Sequence, residues 1–65
     1  MNMDRKEFEE QWKRIAPSTL RIVTIKGGSS VYADGFRFWG RRIVDLYYKN
    51  NSIASILLED IVGVA

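Results

Sequence analysis

Val31-Tyr32-Ala33-Asp34-Gly35-Phe36-Arg37-Phe38-Trp39 is the stretch on which the architecture turns. Its β-branched and aromatic residues suit an extended strand, yet Gly35 sits in the middle, where a strand keeps glycine for a bend or a bulge. A bend there lets a small sheet curl towards a barrel. Upstream, a strand over about residues 19–26 carries Leu20 and Ile22 on one face and Val23 and Ile25 on the other, so it is covered on both faces or bulged. Gly27-Gly28-Ser29-Ser30 is turn punctuation between the two strands. Downstream, Gly40-Arg41-Arg42 reads as a turn, residues 43–49 as a third strand, Asn50-Asn51 as a hairpin turn and residues 52–58 as a fourth strand. Glu59-Asp60 then makes one tight helical turn before a closing strand over 61–64.

A different periodicity precedes Pro17. Asp4 is placed to cap a helix, with Glu7 three residues on in capping-box spacing and Met3 and Phe8 as the accompanying apolar staple. Phe8, Trp12 and Ile15 share one stripe, while Glu9, Glu10, Lys13 and Arg14 occupy the other faces. Pro17 disfavours helical geometry at Ala16, so the helix is expected over about 4–15. The fold class expected is mainly β with one N-terminal α-helix, the strands forming a five-stranded small barrel in a single domain, residues 1–65.

Composition narrows the chemistry. At 65 residues a single core only marginally outweighs chain entropy, which makes self-association an expectation. The 46% of hydrophobic residues argues for a folded globule. No apolar run approaches the roughly 18 residues of a membrane span, and Asp4-Arg5-Lys6-Glu7 does not read as a secretion signal, so the expected location is the cytoplasm. With no histidine and no cysteine, the usual neutral-pH base, the thiolate nucleophile and the commonest zinc ligands are missing. The formal charge is +2, and residues 1–16 carry four acids and four bases, so the excess lies in the strand region. The carboxylates there, Asp34, Asp45, Glu59 and Asp60, receive no catalytic or metal-binding role, and no enzyme activity or cofactor is expected.

Taken together, the helix Asp4 to Ile15, the run Ile22-Val23-Thr24-Ile25 with Gly28, then Gly35, Ile43 to Asn50, and Ile56-Leu57-Leu58-Glu59-Asp60-Ile61-Val62-Gly63-Val64 resemble, as a pattern, the Sm-like family and its bacterial Hfq-like barrels. The resemblance spans almost the whole chain and implies an SH3-like barrel, assembly of identical subunits into a ring, and RNA as partner. It also implies that the loop between the second and third strands meets an RNA base, and here Trp39 to Arg42 occupies that place. One departure stands out. Hfq-like proteins carry a lysine and a histidine between the last two strands, whereas this chain has Leu57-Leu58-Glu59-Asp60, whose acids repel phosphate.

The residues themselves also nominate this hairpin. Gly35 to Arg42 interleaves aromatics with three arginines, and Lys49 lies at the far end of the same hairpin. Aromatic faces stack on unpaired bases while guanidinium groups pair with phosphates, each stacked base contributing about 1–3 kcal/mol. Arg37, Phe38, Trp39, Arg41, Arg42 and Lys49 are therefore the expected contacts to single-stranded RNA. Against this stands the plainer expectation that Phe36 and Phe38 share a core face, Trp39 lids the barrel and the arginines are ordinary solubilising turn residues. The uncharged run Ile53-Ala54-Ser55-Ile56-Leu57-Leu58 is an unprotected strand edge, and pairing with the last strand of a neighbouring copy would cover it. The subunit contact is expected at Ile53, Ser55, Leu57, Ile61, Val62 and Val64. The alternative function is a small protein-binding module, of the kind a phage or mobile element carries to inhibit or modulate a host protein, since tryptophan and arginine are enriched at interface hot spots.

Overall fold

Asp4 begins the helix α1 (Arg5–Lys13): its Oδ1 accepts the Glu7 N–H at 2.8 Å, and Met3 and Phe8 on either side of the cap are both buried. The structure is a computed structural model and describes residues 3–65. After α1 come β1 (Arg21–Ile25), β2 (Ser30–Ala33), β3 (Gly35–Trp39), β4 (Ile43–Tyr48) and β5 (Asn51–Leu57), then a 3-10 turn (Leu58–Asp60) and β6 (Ile61–Val64). The strands form two antiparallel sheets, ordered β2-β1-β6 and β3-β4-β5. Among the described residues no ladder joins β5 to β6, so hydrogen bonding leaves the two sheets unclosed. No helix of these residues is long and apolar enough to cross a membrane.

The expected second strand, residues 31–39, is two strands. Val31 and Ala33 face the core from β2, and Phe36 and Phe38 face it from β3, so the inward parity changes across Asp34-Gly35. A straight strand cannot do this, and the chain leaves one sheet for the other at that point. Asp34 holds the corner. Its N–H donates to the Tyr47 carbonyl at 2.9 Å and its Oδ2 accepts the Lys49 N–H at 3.0 Å. Gly35 itself is not in the left-handed region, and a Cβ there would meet the Tyr47 Cβ at 3.7 Å, an ordinary contact. Glycine is indispensable instead in the β1–β2 turn, where Gly27 and Gly28 have φ of 94° and 97°.

Two other expectations need correcting. The hairpin loop between β4 and β5 is Lys49-Asn50, not Asn50-Asn51, because Tyr48 pairs with Asn51; φ is 49° at Lys49 and 68° at Asn50, the signature of a type I′ turn. The helix stops at Lys13, short of Ile15. Past that point Arg21 takes up carbonyls of the helix end and the loop. Its Nη2 donates to Trp12 O at 3.4 Å and Ile15 O at 3.3 Å, while Nη1 donates to Thr19 O at 3.0 Å and Pro17 O at 3.1 Å. The guanidinium also lies 4.6 Å from the centroid of the Trp12 ring.

Helix and sheets meet in an aromatic cluster. Phe8 is fully buried and contacts Trp12, Phe36 and Phe38 at centroid distances of 5.8, 5.0 and 5.9 Å, mostly edge to face. Val23, Ala33, Val44, Leu46, Leu58 and Ile61 complete the core around it. At its outer end α1 is tied to β6, where Gln11 Oε1 accepts the Val64 N–H at 2.9 Å.

Arg21→Met removes a buried cation whose bonds close the helix end, and should lower the unfolding free energy by about 2–5 kcal/mol. Arg21→Lys keeps the charge without the fork and should lose about 1–3 kcal/mol. Urea denaturation followed by circular dichroism measures both; a loss below about 0.5 kcal/mol for Arg21→Met would remove Arg21 from this role.

Candidate nucleic-acid interface

The β3–β4 register decides which hairpin side chains reach solvent. Arg37 pairs with Asp45 and Trp39 with Ile43, and these side chains point away from the core because Phe36 and Phe38, opposite Leu46 and Val44, point into it. Trp39 is 63% exposed. It therefore stands out on the surface and does not roof the core. The ladder continues through β5, giving one outward row Trp39–Ile43–Leu57 and a second row Arg37–Asp45–Ser55. Asp45 is buried although it faces outward, and it accepts a hydrogen bond from the Ser55 hydroxyl.

Beyond Trp39 the chain turns through Gly40-Arg41-Arg42. Gly40 has φ of 62°, a conformation that few side chains tolerate, and this lets the short turn bring both arginines outward. The Arg42 carbonyl accepts the Leu58 N–H at 2.7 Å, which fixes the turn against the 3-10 turn. Arg41 and Arg42 line a cavity of about 180 Å³ with Met3, Leu58 and Glu59. The acid noted in the sequence as hostile to phosphate thus lies beside the two arginines, leaving a local excess of one positive charge.

Of the expected contacts, Arg37, Trp39, Arg41 and Arg42 are exposed on one hairpin, the first two on its outer face and the others in its turn. The single ion pair among the described residues joins Lys13 to Glu9, so none of these arginines is engaged by a carboxylate. Phe38 does not belong with them: its half-buried ring sits 5.2 Å from Phe36 in the aromatic cluster, and the Arg5 guanidinium lies over it at 4.6 Å. Lys49 is exposed but occupies the opposite end of β4, whose 6 residues place it about 20 Å from the arginine turn. Its Nζ lies 5.3 Å from the Tyr48 ring centroid.

The expected subunit-contact residues separate in the same way. Ile53, Ser55 and Leu57 are exposed on β5, and Val62 is 63% exposed on β6. Ile61 is a core residue, 4% exposed, because the 3-10 turn rotates the start of β6 inward; it has no surface to offer a neighbour. Val64 is half-buried against the core. Two residues that position these surfaces were given no part in the sequence reading. Arg21 left a signal, an arginine at the parity of buried Val23 in a β-branched run. Gln11 left none, since a glutamine beside an apolar stripe is ordinary helix surface.

The strand-region carboxylates are dispersed: Asp34 holds the corner, Asp45 holds Ser55, and Glu59 and Asp60 are half-buried in the 3-10 turn. Compared with protein-family models, with curated proteins and with solved structures, the chain finds no match.

Lys49 holds a left-handed conformation that a side chain adopts at a penalty of about 1 kcal/mol. Lys49→Gly keeps the N–H bonded to Asp34 and should raise stability by about 0.5–1 kcal/mol in thermal or urea unfolding; a destabilised variant would contradict the turn assignment.

Proposed function

We propose that this chain is a non-enzymatic module that binds single-stranded RNA on the outer face and tip of the β3–β4 hairpin. The supporting observation is a tryptophan 63% exposed between Arg37 on its own strand face and Arg41 and Arg42 in the following turn, with no carboxylate paired to any of the three. A base stacks on the indole, and the guanidinium groups on either side take the phosphates before and after it. Glu59 disfavours phosphate deep in the small cavity, so the strand runs over Trp39 and Arg37 and touches the arginine turn from outside. The finer architecture we propose is a five-stranded SH3-like barrel of Sm-like kind, with Ser30–Trp39 counted as one strand bent at Asp34. The bend, the helix seated on the aromatic cluster and the 3-10 turn before the last strand support it.

A second reading has its own observation. Ile43 and Leu57 adjoin Trp39 in one exposed cross-strand row, and an apolar row of that kind suits a protein partner of the host-modulating type better than it suits a polynucleotide. Capture of partners from a cell extract, with and without nuclease, separates the readings: partners lost with nuclease belong to the first, partners retained belong to the second.

For RNA, labelled oligouridine and oligoadenosine titrated at several salt concentrations give both affinity and salt slope. Trp39→Ala should weaken binding by about 5- to 150-fold, the equivalent of about 1–3 kcal/mol for one stacked base. Arg41→Ala with Arg42→Ala should reduce the salt slope by about 1.4, at about 0.7 per phosphate on a single strand. Wild-type protein without salt-dependent affinity for either oligonucleotide would overturn the RNA reading.

A further inference from the structure

The two ends of the strand system, β5 and β6, are unlike. Leu58 donates to Arg42, so in an antiparallel ladder Ile56 and Ala54 also turn their backbone groups towards β4, while those of Leu57 and Ser55 point outward with no strand beside them. β5 contains no charged residue and no proline, the devices that usually blunt an edge. The bulge opposite Tyr47 is confined to its beginning, leaving Ala54–Leu57 regular. On β6 the strand is short, its ladder to β1 is shifted between Thr24 and Ile25, and the Val64 N–H is already taken by Gln11. One margin is open and the other is partly closed by the helix.

We infer that two copies of the chain pair antiparallel through β5 about a twofold axis, extending β3-β4-β5 into a six-stranded sheet. A twofold contact must be self-complementary, and β5 satisfies that condition when Ser55 faces Ser55 of the second copy. Ile53, the extra residue of the bulge, then comes alongside Leu57 in both directions. These two apolar residues, 45% and 39% exposed in the single chain, cover each other. The central serines stay satisfied within their own subunits, because each hydroxyl is donated to Asp45. Charge fits the same register: the Lys49-Asn50 turn of each copy comes alongside the Leu58–Asp60 turn of the other, setting Lys49 near Glu59 and Asp60. Antiparallel pairing in one sheet leaves outward faces on the same side, so both Trp39 hairpins face one way. The inference does not depend on what those hairpins bind.

Sedimentation velocity of the wild-type chain at tens of micromolar should give twice the monomer mass. Ile53→Lys charges an exposed position on the open margin and should weaken association at least tenfold while circular dichroism stays unchanged. Val62→Lys on β6 should leave the mass of the pair unaltered. Ser55→Cys supplies a thiol to a chain that has no cysteine, and on mild oxidation it should link two copies covalently. Directly opposed residues of a hydrogen-bonded pair lie about 5.5 Å apart at Cα, within the usual disulfide range. A monomer at every concentration, an assembly larger than two, or dissociation caused by Val62→Lys and not by Ile53→Lys would each overturn the inference. RNA titration of the Ile53→Lys protein reads the hairpin separately, so the two proposals fail independently.

Discussion

One guanidinium ties the end of the helix to the loop behind it and to the first strand. Arg21, the first residue of β1, donates to four carbonyls, that of Trp12 in the last turn of α1 and those of Ile15, Pro17 and Thr19 in the loop that follows. Because Arg21 shares a face of β1 with Val23, its side chain enters from the core side of the sheet and runs beneath the Trp12 ring. Helix direction, loop path and the start of the sheet are thus fixed by a single residue, with no acid involved: carbonyl dipoles and an aromatic face offset the desolvation of the charge. Its Nε remains buried without a partner, a sign that this arrangement is crowded and still better than leaving the helix end bare.

The aromatic cluster depends on that placement. With the helix end fixed, Phe8 and Trp12 descend on Phe36 and Phe38, and the outward residues between them, Arg37 and Trp39, are forced to the surface by simple alternation. The exposure of Trp39 is therefore not an accident of a loose hairpin. The core claims the even-numbered aromatics, and the odd-numbered positions of β3 are left to the surface.

Much of this was legible in the residues, and the parts that were not have physical reasons. The cap at Asp4, the staple at Met3 and Phe8, the turn glycines and the strand periods are local signals, and each appears where spacing puts it. The bend was also legible, but attributed to Gly35; the corner is held by the side chain and N–H of Asp34, partners that lie 13 and 15 residues away and leave no mark in local sequence. The hairpin loop slipped by one because asparagine is the better left-handed residue, and cross-strand pairing of Tyr48 with Asn51 overrode that preference at Lys49. Phe38 was legible in both directions, as core and as stacking surface, until the parity change at Asp34 settled it. Ile61 looked like strand surface because nothing local reveals how far the 3-10 turn rotates the chain.

The bond between Gln11 and Val64 spans 53 positions of sequence, and β1 too is flanked by the last strand. The last tie between helix and sheet therefore forms only once Ile61–Val64 is in place. Until then the helix has Phe36 and Phe38 to pack against but lacks the bond that joins it to β6. Contacts of such long sequence separation raise the contact order, which slows folding relative to a chain of equal length built from local contacts.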